Sequence, residues 1–383
     1  MKQALNKETP LTLGILGGGQ LAKMLAIEAY RLGLNVAIIE NGNYTPAGDM
    51  TKLNFIEGWE NKNELNKFIE VSDIITLENE FISPDVLEYI EKSKMVFPSS
   101  STMKLVQDKY IQKITFQNNG ILVPPFEQIN SIEELYSFAE KYGYPFLVKT
   151  RTLGYDGYGN MTINDKNDCQ LAWNKFYKTR KIMAEQFIDF EKEVAVIVAR
   201  NVSGEVAIYP CVETIQKNHI CHKVIAPAKI NIDIAMQTKE MAAKAVQSIN
   251  GVGVFGIEMF VAKNNKVLLN EIAPRPHNSG HYTIEGCYCS QYENGIRAIL
   301  DLPLGSPEMK HKFACMVNLL GERDGSGVPK DITDIMKFKN TKLHLYNKKQ
   351  SRKGRKMGHL TTIGDDYDEV LKEAEDAFKC FVW

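Results

Sequence analysis

Val254-Phe-Gly-Ile-Glu258-Met-Phe-Val261, then Lys263-Asn-Asn-Lys266, then Val267-Leu-Leu-Asn270-Glu271-Ile272 is the stretch on which the reading of this chain turns. Two apolar runs flank a polar centre. The Asn-Asn pair suits a tight hairpin turn, because asparagine tolerates positive φ at low cost. With the turn centred on Asn264 and Asn265, residues whose numbers add to 529 face each other, and Glu258 and Glu271 are such a pair. Their Cβ atoms then stand roughly 5 Å apart on one face. Like charges so placed repel, and a hard divalent cation such as Mg²⁺, which takes one or two carboxylates, resolves the conflict. The bland alternative is an exposed hairpin whose glutamates face water. The residues just beyond the hairpin weigh against it: Pro274 and Pro276 with Arg275, His277, Asn278 and His281 make a segment too polar and too rigid for an ordinary loop.

Composition bounds the rest. At 383 residues the chain is long enough for two or three domains with substantial cores. A net charge of −1 argues against a general nucleic-acid binder. No apolar run reaches the roughly 18–20 residues of a membrane span. Met1–Pro10 lacks the apolar core of a secretory signal. The seven cysteines are scattered and sit mostly in apolar runs, so reduced thiols in a cytoplasmic protein are expected. Cys287 and Cys289 have no second pair that would make a zinc site.

The pattern outward from the hairpin is that of several α/β units. Leu11–Leu16 reads as a buried strand, followed by Gly17-Gly-Gly19, an amphipathic helix to Leu32, and a second strand ending at Glu40. Gly17, Gly19 and Ala22 with Glu40 fit a dinucleotide fingerprint, whose physical content is a helix N-terminus open to an anion. An NAD-dependent dehydrogenase is therefore one hypothesis, although it leaves the hairpin carboxylates without a task. Asp73–Leu77 continues the alternation and ends in Thr76-Leu-Glu78-Asn-Glu80, where parallel sheets place ligands. One helix is expected from Thr102 to Asn118, carrying Lys104 and Lys109. Tyr144–Lys149 reads as an apolar strand ending in a lysine, and a lysine so placed needs a partner. Gly154-Tyr155-Asp156-Gly157-Tyr158-Gly159 comes next, a glycine-rich loop able to fold over phosphates or, more simply, to turn a hairpin. Lys181–Phe187 is a further strand bearing Glu185 and Gln186, with Glu193 beyond it. Six of the nine residues Lys348–Lys356 are basic, which is either a solvated face or a phosphate-capturing loop.

Taken in order, lysine, glycine loop, edge strand and paired carboxylates resemble the ATP-grasp superfamily. Within it, the chain resembles the N5-carboxyaminoimidazole ribonucleotide synthetase family of purine biosynthesis. The likeness is carried by Gly17-Gly-Gly-Gln20, Thr76–Glu80, Gln107-Asp-Lys109, Lys149–Gly159, Asn270–His281 and Gly354-Arg-Lys-Met-Gly-His359. It implies an ATP- and Mg²⁺-dependent ligase that joins bicarbonate to 5-aminoimidazole ribonucleotide. It further implies a homodimer, with neither nucleic acid nor membrane as partner. By the same resemblance, Lys104 and Lys149 contact ATP phosphates under a lid formed by Gly154–Asn160. Glu185, Gln186, Phe187 and Ile188 bracket adenine, and Glu193 holds the ribose. Glu258 and Glu271, beside Asn270, bind Mg²⁺. Arg275, His277 and Asn278, with Glu78 or Glu80, surround bicarbonate. Tyr155 and Asp156 address the aminoimidazole, Lys348 and Arg355 its 5′-phosphate, and Asp156 or His277 accepts the amine proton.

Two departures from the family stand out. Gln216 occupies a position that is often histidine near the nucleotide, with His219 and His222 out of register. Arg352-Lys-Gly-Arg355 lacks the proline of the usual Arg-Pro-Gly-Arg. The expected fold is α/β plus α+β, an ATP-grasp architecture. It comprises a Rossmann-like domain over 1–100, a two-lobed ATP-grasp region over 101–305 and a small β-rich domain over 306–383.

Overall fold

The computed structural model describes residues 9–154, 159–177, 180–217 and 220–382. The chain opens with β1 (Thr12–Leu16), α1 (Gln20–Arg31), β2 (Asn35–Ile39), β3 (Leu53–Phe55), α2 (Lys62–Val71), β4 (Ile74–Leu77), α3 (Pro84–Glu91) and β5 (Met95–Phe97). The five strands form a parallel sheet in the order β3-β2-β1-β4-β5. β1 and β4 are buried along their whole length, as near-continuous apolar runs under helices on both faces must be. The order changes direction at β1, so the loops after β1 and β4 lie side by side where such sheets bind ligands. Gly17–Gly19 and Glu78–Glu80 meet there.

The single helix expected over 102–118 is two, α4 (Ser100–Val106) and α5 (Lys109–Asn118). Asp108 breaks it, because its side chain accepts the amides of Tyr110 and Ile111 and starts a new helix. Then come β6 (Phe126–Ile129), α6 (Ile132–Tyr142), β7 (Phe146–Thr150), β8 (Asn160–Ile163), α7 (Lys166–Phe176) and β9 (Ile182–Gln186). Their strands form a four-stranded lobe in the order β6-β9-β7-β8, with its own core of Leu135, Phe138, Phe146, Val148 and Ile163.

The remaining strands build one large sheet, apart from Gly325–Ser326 and Gln350–Ser351, which pair only with each other. In chain order they are β10 (Phe190–Arg200), β11 (Val206–Ile208), β12 (Val212–Lys217), β13 (Ile220–Ala226), α8 (Ile232–Ser248), β14 (Gly253–Ala262) and β15 (Val267–Ala273). After them come α9 (Thr283–Gly286), α10 (Gln291–Ile299), β16 (Phe313–Leu320), β17 (Gly325–Ser326), β18 (Thr341–Leu345), β19 (Gln350–Ser351), β20 (Lys356–Gly364) and α11 (Tyr367–Lys379). The path runs β15-β14-β10-β12-β13-β16-β20-β18, with β11 on β10. The C-terminal strands thus join the same sheet through β13 and β16, which pair from Lys223↔Val317 to Ala226↔Ala314. The expected domain boundary near residue 305 falls in the connection between α10 and β16, and the sheet itself runs on across it.

The decisive hairpin departs from the expected turn yet keeps the expected pair. Ala262 N donates to Lys266 O at 2.9 Å and Asn265 N to Ala262 O at 2.8 Å, with Asn265 at φ 63°. The loop is therefore Lys263–Asn265, and Val261↔Val267 to Met259↔Leu269 pair one residue out of the predicted register. A bulge between Glu258 and Met259 takes up that residue at Asn270 and restores Glu258↔Glu271.

Candidate active site

Glu271 and Glu258 lie opposite each other at the edge of the large sheet, under the four-stranded lobe. Burial first, and then the neighbouring Glu193 and Glu271 carboxylates, push Glu258 up to about 8. Acids crowded in this way fit a divalent cation, which would be held by Glu258 and Glu271 with the remaining positions left to water and phosphate. Among the described residues no cluster of three His, Cys, Asp or Glu is placed to hold a metal ion by protein groups alone.

Cations line the other side. Lys149, at the end of β7, donates to Glu185 Oε1 at 2.6 Å and stands 3.4 Å from Asn270 Oδ1. Lys113 on α5 pairs with the other oxygen of Glu185 at 2.7 Å. Burial alone would raise the Glu185 carboxyl, but the two ammonium groups hold it down at about 2. Lys109, placed on the first turn of α5 by the Asp108 cap, pairs with Glu271. Arg151 anchors that turn through Asp108, with Nε to Oδ2 at 2.9 Å. Lys104 is elsewhere: it is exposed on α4 and paired with Glu88 of α3. Lys104, expected at the phosphates, thus stands away from the carboxylate pair and Lys109 stands beside it, a placement the Asp108 cap could have signalled.

Arg275 grips Glu80 with two donors, Nη2 to Oε1 at 2.9 Å and Nε to Oε2, while Nη1 donates to Pro276 O at 3.1 Å. Burial opposes ionisation of Glu80, yet Arg275 brings its carboxyl down to about 2. His277 lies against β14 at Gly256, where any Cβ would fall 2.4 Å from its own Cβ and Cγ. Burial, with Arg275 and Lys356 nearby, lowers the imidazole to about 3, so it is neutral. His277 Nδ1 lies 2.8 Å from Ser279 Oγ and 3.4 Å from Ser279 N, and Nε2 stands 3.4 Å from Glu258 Oε1. Asn278 Nδ2 is buried beside the Cys221 thiol with no hydrogen-bond acceptor among the described residues.

Glu78 separates from Glu80. It accepts Gly19 N at 2.7 Å and Ala22 N at 3.1 Å, capping α1, whose own N-cap is a glycine without a side chain. A Cβ at Gly19 would sit 2.5 Å from Glu78 Oε1. The anion at this helix N-terminus is the chain's own carboxylate, which leaves the dinucleotide reading without its phosphate site. Gln216, at the position often held by histidine, donates to Glu193 Oε1 at 2.9 Å. Gln186, Phe187 and Ile188 end β9 and begin the crossing to β10, with Phe187 exposed. Gly154 shares a cleft with Glu80, Lys109 and Glu271, and Gly159 and Asn160 lead into β8. Tyr155, Asp156, Gly157, Tyr158 and His219 lie outside the described residues.

At the far end, Lys348 points inward, donating to Lys356 O at 2.8 Å, and burial first, then Arg355, lowers it to about 8. Arg355 lines an open basin of about 810 Å³ with Lys349, Arg352, Ser326 and Ser351. Lys356 is close enough to Glu258, His277 and His281 to act on their charge, and sequence reasoning passes it over inside the basic run.

Comparison with known proteins agrees with this geometry. The chain matches a ribonucleotide synthetase preATP-grasp domain over 11–107, an ATP-grasp domain over 114–292 and a phosphoribosylaminoimidazole carboxylase C-terminal domain over 314–373. N5-carboxyaminoimidazole ribonucleotide synthetase from Thermotoga maritima has 38% identity and a TM-score of 0.88, over 97% of this chain and 99% of that one. The chain belongs to the N5-carboxyaminoimidazole ribonucleotide synthetase family. An Aspergillus clavatus family member, solved with ADP and 5-aminoimidazole ribonucleotide, has 33% identity and a TM-score of 0.88, over 97% of this chain and 99% of its own. Phosphoribosylaminoimidazole carboxylase of Ogataea methanolica is 40% identical over 92% of this chain. The chain spans 66% of that relative's length and 64% of the length of its Candida albicans counterpart. Among the described residues no helix is long and apolar enough to cross a membrane.

Proposed function

We propose that the chain converts ATP, bicarbonate and 5-aminoimidazole ribonucleotide into ADP, phosphate and N5-carboxyaminoimidazole ribonucleotide by way of carboxyphosphate. The observation that carries this reading is the Glu258/Glu271 pair, opposed under Lys109 and Lys149 and beside the Arg275–Asn278 segment. Bicarbonate is a poor electrophile until it is phosphorylated, and phosphoryl transfer needs positioning and charge neutralisation more than covalent help. Mg²⁺ held by Glu258 and Glu271 would supply part of that neutralisation.

The chain's own groups do the rest. Lys109 and Lys149 take the nucleotide's phosphates beneath the Gly154–Asn160 lid, which keeps water from carboxyphosphate. Glu185–Ile188 borders adenine, and Glu193, oriented by Gln216, holds the ribose. Arg275 commits three of its five donors to Glu80 and Pro276, which leaves two for a planar carbonate. Asn278 Nδ2, buried beside the Cys221 thiol, supplies a third donor to the same anion. Tyr155 and Asp156 are assigned to the aminoimidazole, with Asp156 accepting the amine proton in preference to His277, whose imidazole is held at about 3. Lys348 and the Arg355 basin bind the 5′-phosphate. A cytoplasmic homodimer belongs to the same proposal, and its mass in solution tests it.

ADP release should require bicarbonate and aminoimidazole ribonucleotide together. Glu271→Gln should abolish it while leaving the protein folded. Parental ADP release by that variant would overturn the metal assignment.

A further inference from the structure

β15 is the edge strand of the large sheet, so its outer N–H and C=O groups face no further strand. An exposed strand edge is normally blunted, paired or covered. Here the partners are the segment after α5, whose Leu122 O accepts Leu269 N at 2.8 Å, and, from Asn270 on, the helix itself. Gln112 on α5 donates from Nε2 to Ile272 O at 3.2 Å and accepts from Ile272 N at 3.2 Å. A glutamine amide carries one C=O and N–H donors in a plane, so it reproduces the pairing of a backbone peptide. One residue on, Lys113 Nζ donates to Asn270 O at 3.0 Å and pairs with Glu185 at 2.7 Å. Both side chains are 2% exposed, although lysine and glutamine seldom fill such positions. Burial pushes the Lys113 ammonium below its ordinary value, and only its specific partners keep it in place.

These contacts flank the bulge at Asn270. Without that bulge the register set by the turn would continue, and Glu258 would face Asn270. A slip of one residue reverses the face of every side chain beyond it, so Glu271 would leave the face it shares with Glu258. The bulge is therefore the difference between a carboxylate pair and a single carboxylate. Hydrogen bonds to Asn270 O on one side of it and to both polar groups of Ile272 on the other hold the extra residue in place. Lys109, one turn back on the same helix, reaches Glu271 itself.

We propose that Gln112 and Lys113 are positioning residues that clamp the β15 bulge and so set Glu258, Asn270 and Glu271 for Mg²⁺ and nucleotide. This inference rests on the ligase reading for what the site binds, but the clamp has a readout that does not depend on turnover. Gln112→Met and Lys113→Met remove the clamp at near-constant volume, with Lys113→Arg as the conservative rescue and Phe116→Leu as a core control on the same helix. Amide hydrogen exchange should quicken at least tenfold over residues 267–273 in both methionine variants and stay parental in β16 and β20. Titration calorimetry should show ATP affinity in Mg²⁺ weakened at least tenfold, while ATP affinity in EDTA changes less than threefold. Lys113→Arg should recover most of the loss, and Phe116→Leu should lower the melting temperature without moving the Mg²⁺ dependence. Parental exchange over 267–273, or equal weakening with and without Mg²⁺, overturns the clamp. If the methionine variants do not fold, Gln112→Asn, which keeps the amide but shortens its reach, is held to the same two criteria. A parent enzyme that binds Mg²⁺–ATP but releases no ADP with both substrates refutes the ligase reading and leaves the clamp measurable.

Discussion

Glu80→Gln tests the Arg275 assembly most directly, because the side chain keeps its shape and loses only its charge. Glu80 sits with a carboxyl at about 2, displaced from the ordinary 4.5 by Arg275 against the opposing effect of burial. At about 1.4 kcal/mol per pH unit the displacement corresponds to roughly 3 kcal/mol. A half-buried guanidinium left facing an amide costs a similar amount, so about 3 kcal/mol is the expected loss at neutral pH. The sign is set by the direction of the shift. A depressed acid contributes its stability above the ordinary carboxylate range and loses it as pH falls toward 2. The gap between parent and variant should therefore be full at pH 7, begin to close below about 4.5 and be nearly gone near pH 2. Urea unfolding at pH 3, 5 and 7 measures this. The variant should also raise the KM for bicarbonate at least tenfold, because the freed guanidinium no longer holds one orientation. A variant within 0.5 kcal/mol of the parent at pH 7, or a gap that does not change with pH, would refute the reasoning.

The geometry makes three other outcomes testable. Gly256→Ala drives a methyl group into His277 and should lower kcat at least tenfold while the KM for ATP changes little; an unchanged kcat would mean the ring's seat on β14 is irrelevant. Lys104→Ala should keep parental ADP formation, whereas Lys109→Ala should lose at least a hundredfold, and the reverse ranking would restore Lys104 to the site. Lys348 is protonated only below about 8, so kcat/KM for the ribonucleotide should fall above that pH, and Lys348→Met should flatten the limb.

Much of this is legible in the chain, for reasons specific to each residue. The hairpin pattern pairs Glu258 with Glu271 correctly, but the turn is one residue longer than the Asn-Asn centre suggests and the Asn270 bulge cancels the difference. Turn type is a local property, whereas a bulge depends on what packs against the strand edge, here Gln112 and Lys113 from some 160 residues away. Gln107-Asp108 favours Lys109 over Lys104, since an aspartate before an amphipathic run announces a new helix. Glu78 capping α1 is hidden, because the glycine loop advertises an anion site without saying whose anion fills it. The union of β13 with β16 joins segments some 90 residues apart, and pairing over that distance leaves no periodic trace in either one.

That union has a mechanical consequence. Because backbone hydrogen bonds run without interruption from β15 to β20, the carboxylates at one end and the basic loop ahead of β20 at the other form a single stiff jaw. The four-stranded lobe, carrying Lys149 and Glu185, shares no strand with that jaw and meets it through side chains such as Asn270. On the proposed ligase reading, opening to admit ATP would be a swing of the smaller lobe alone, with the ribonucleotide's seat keeping its dimensions.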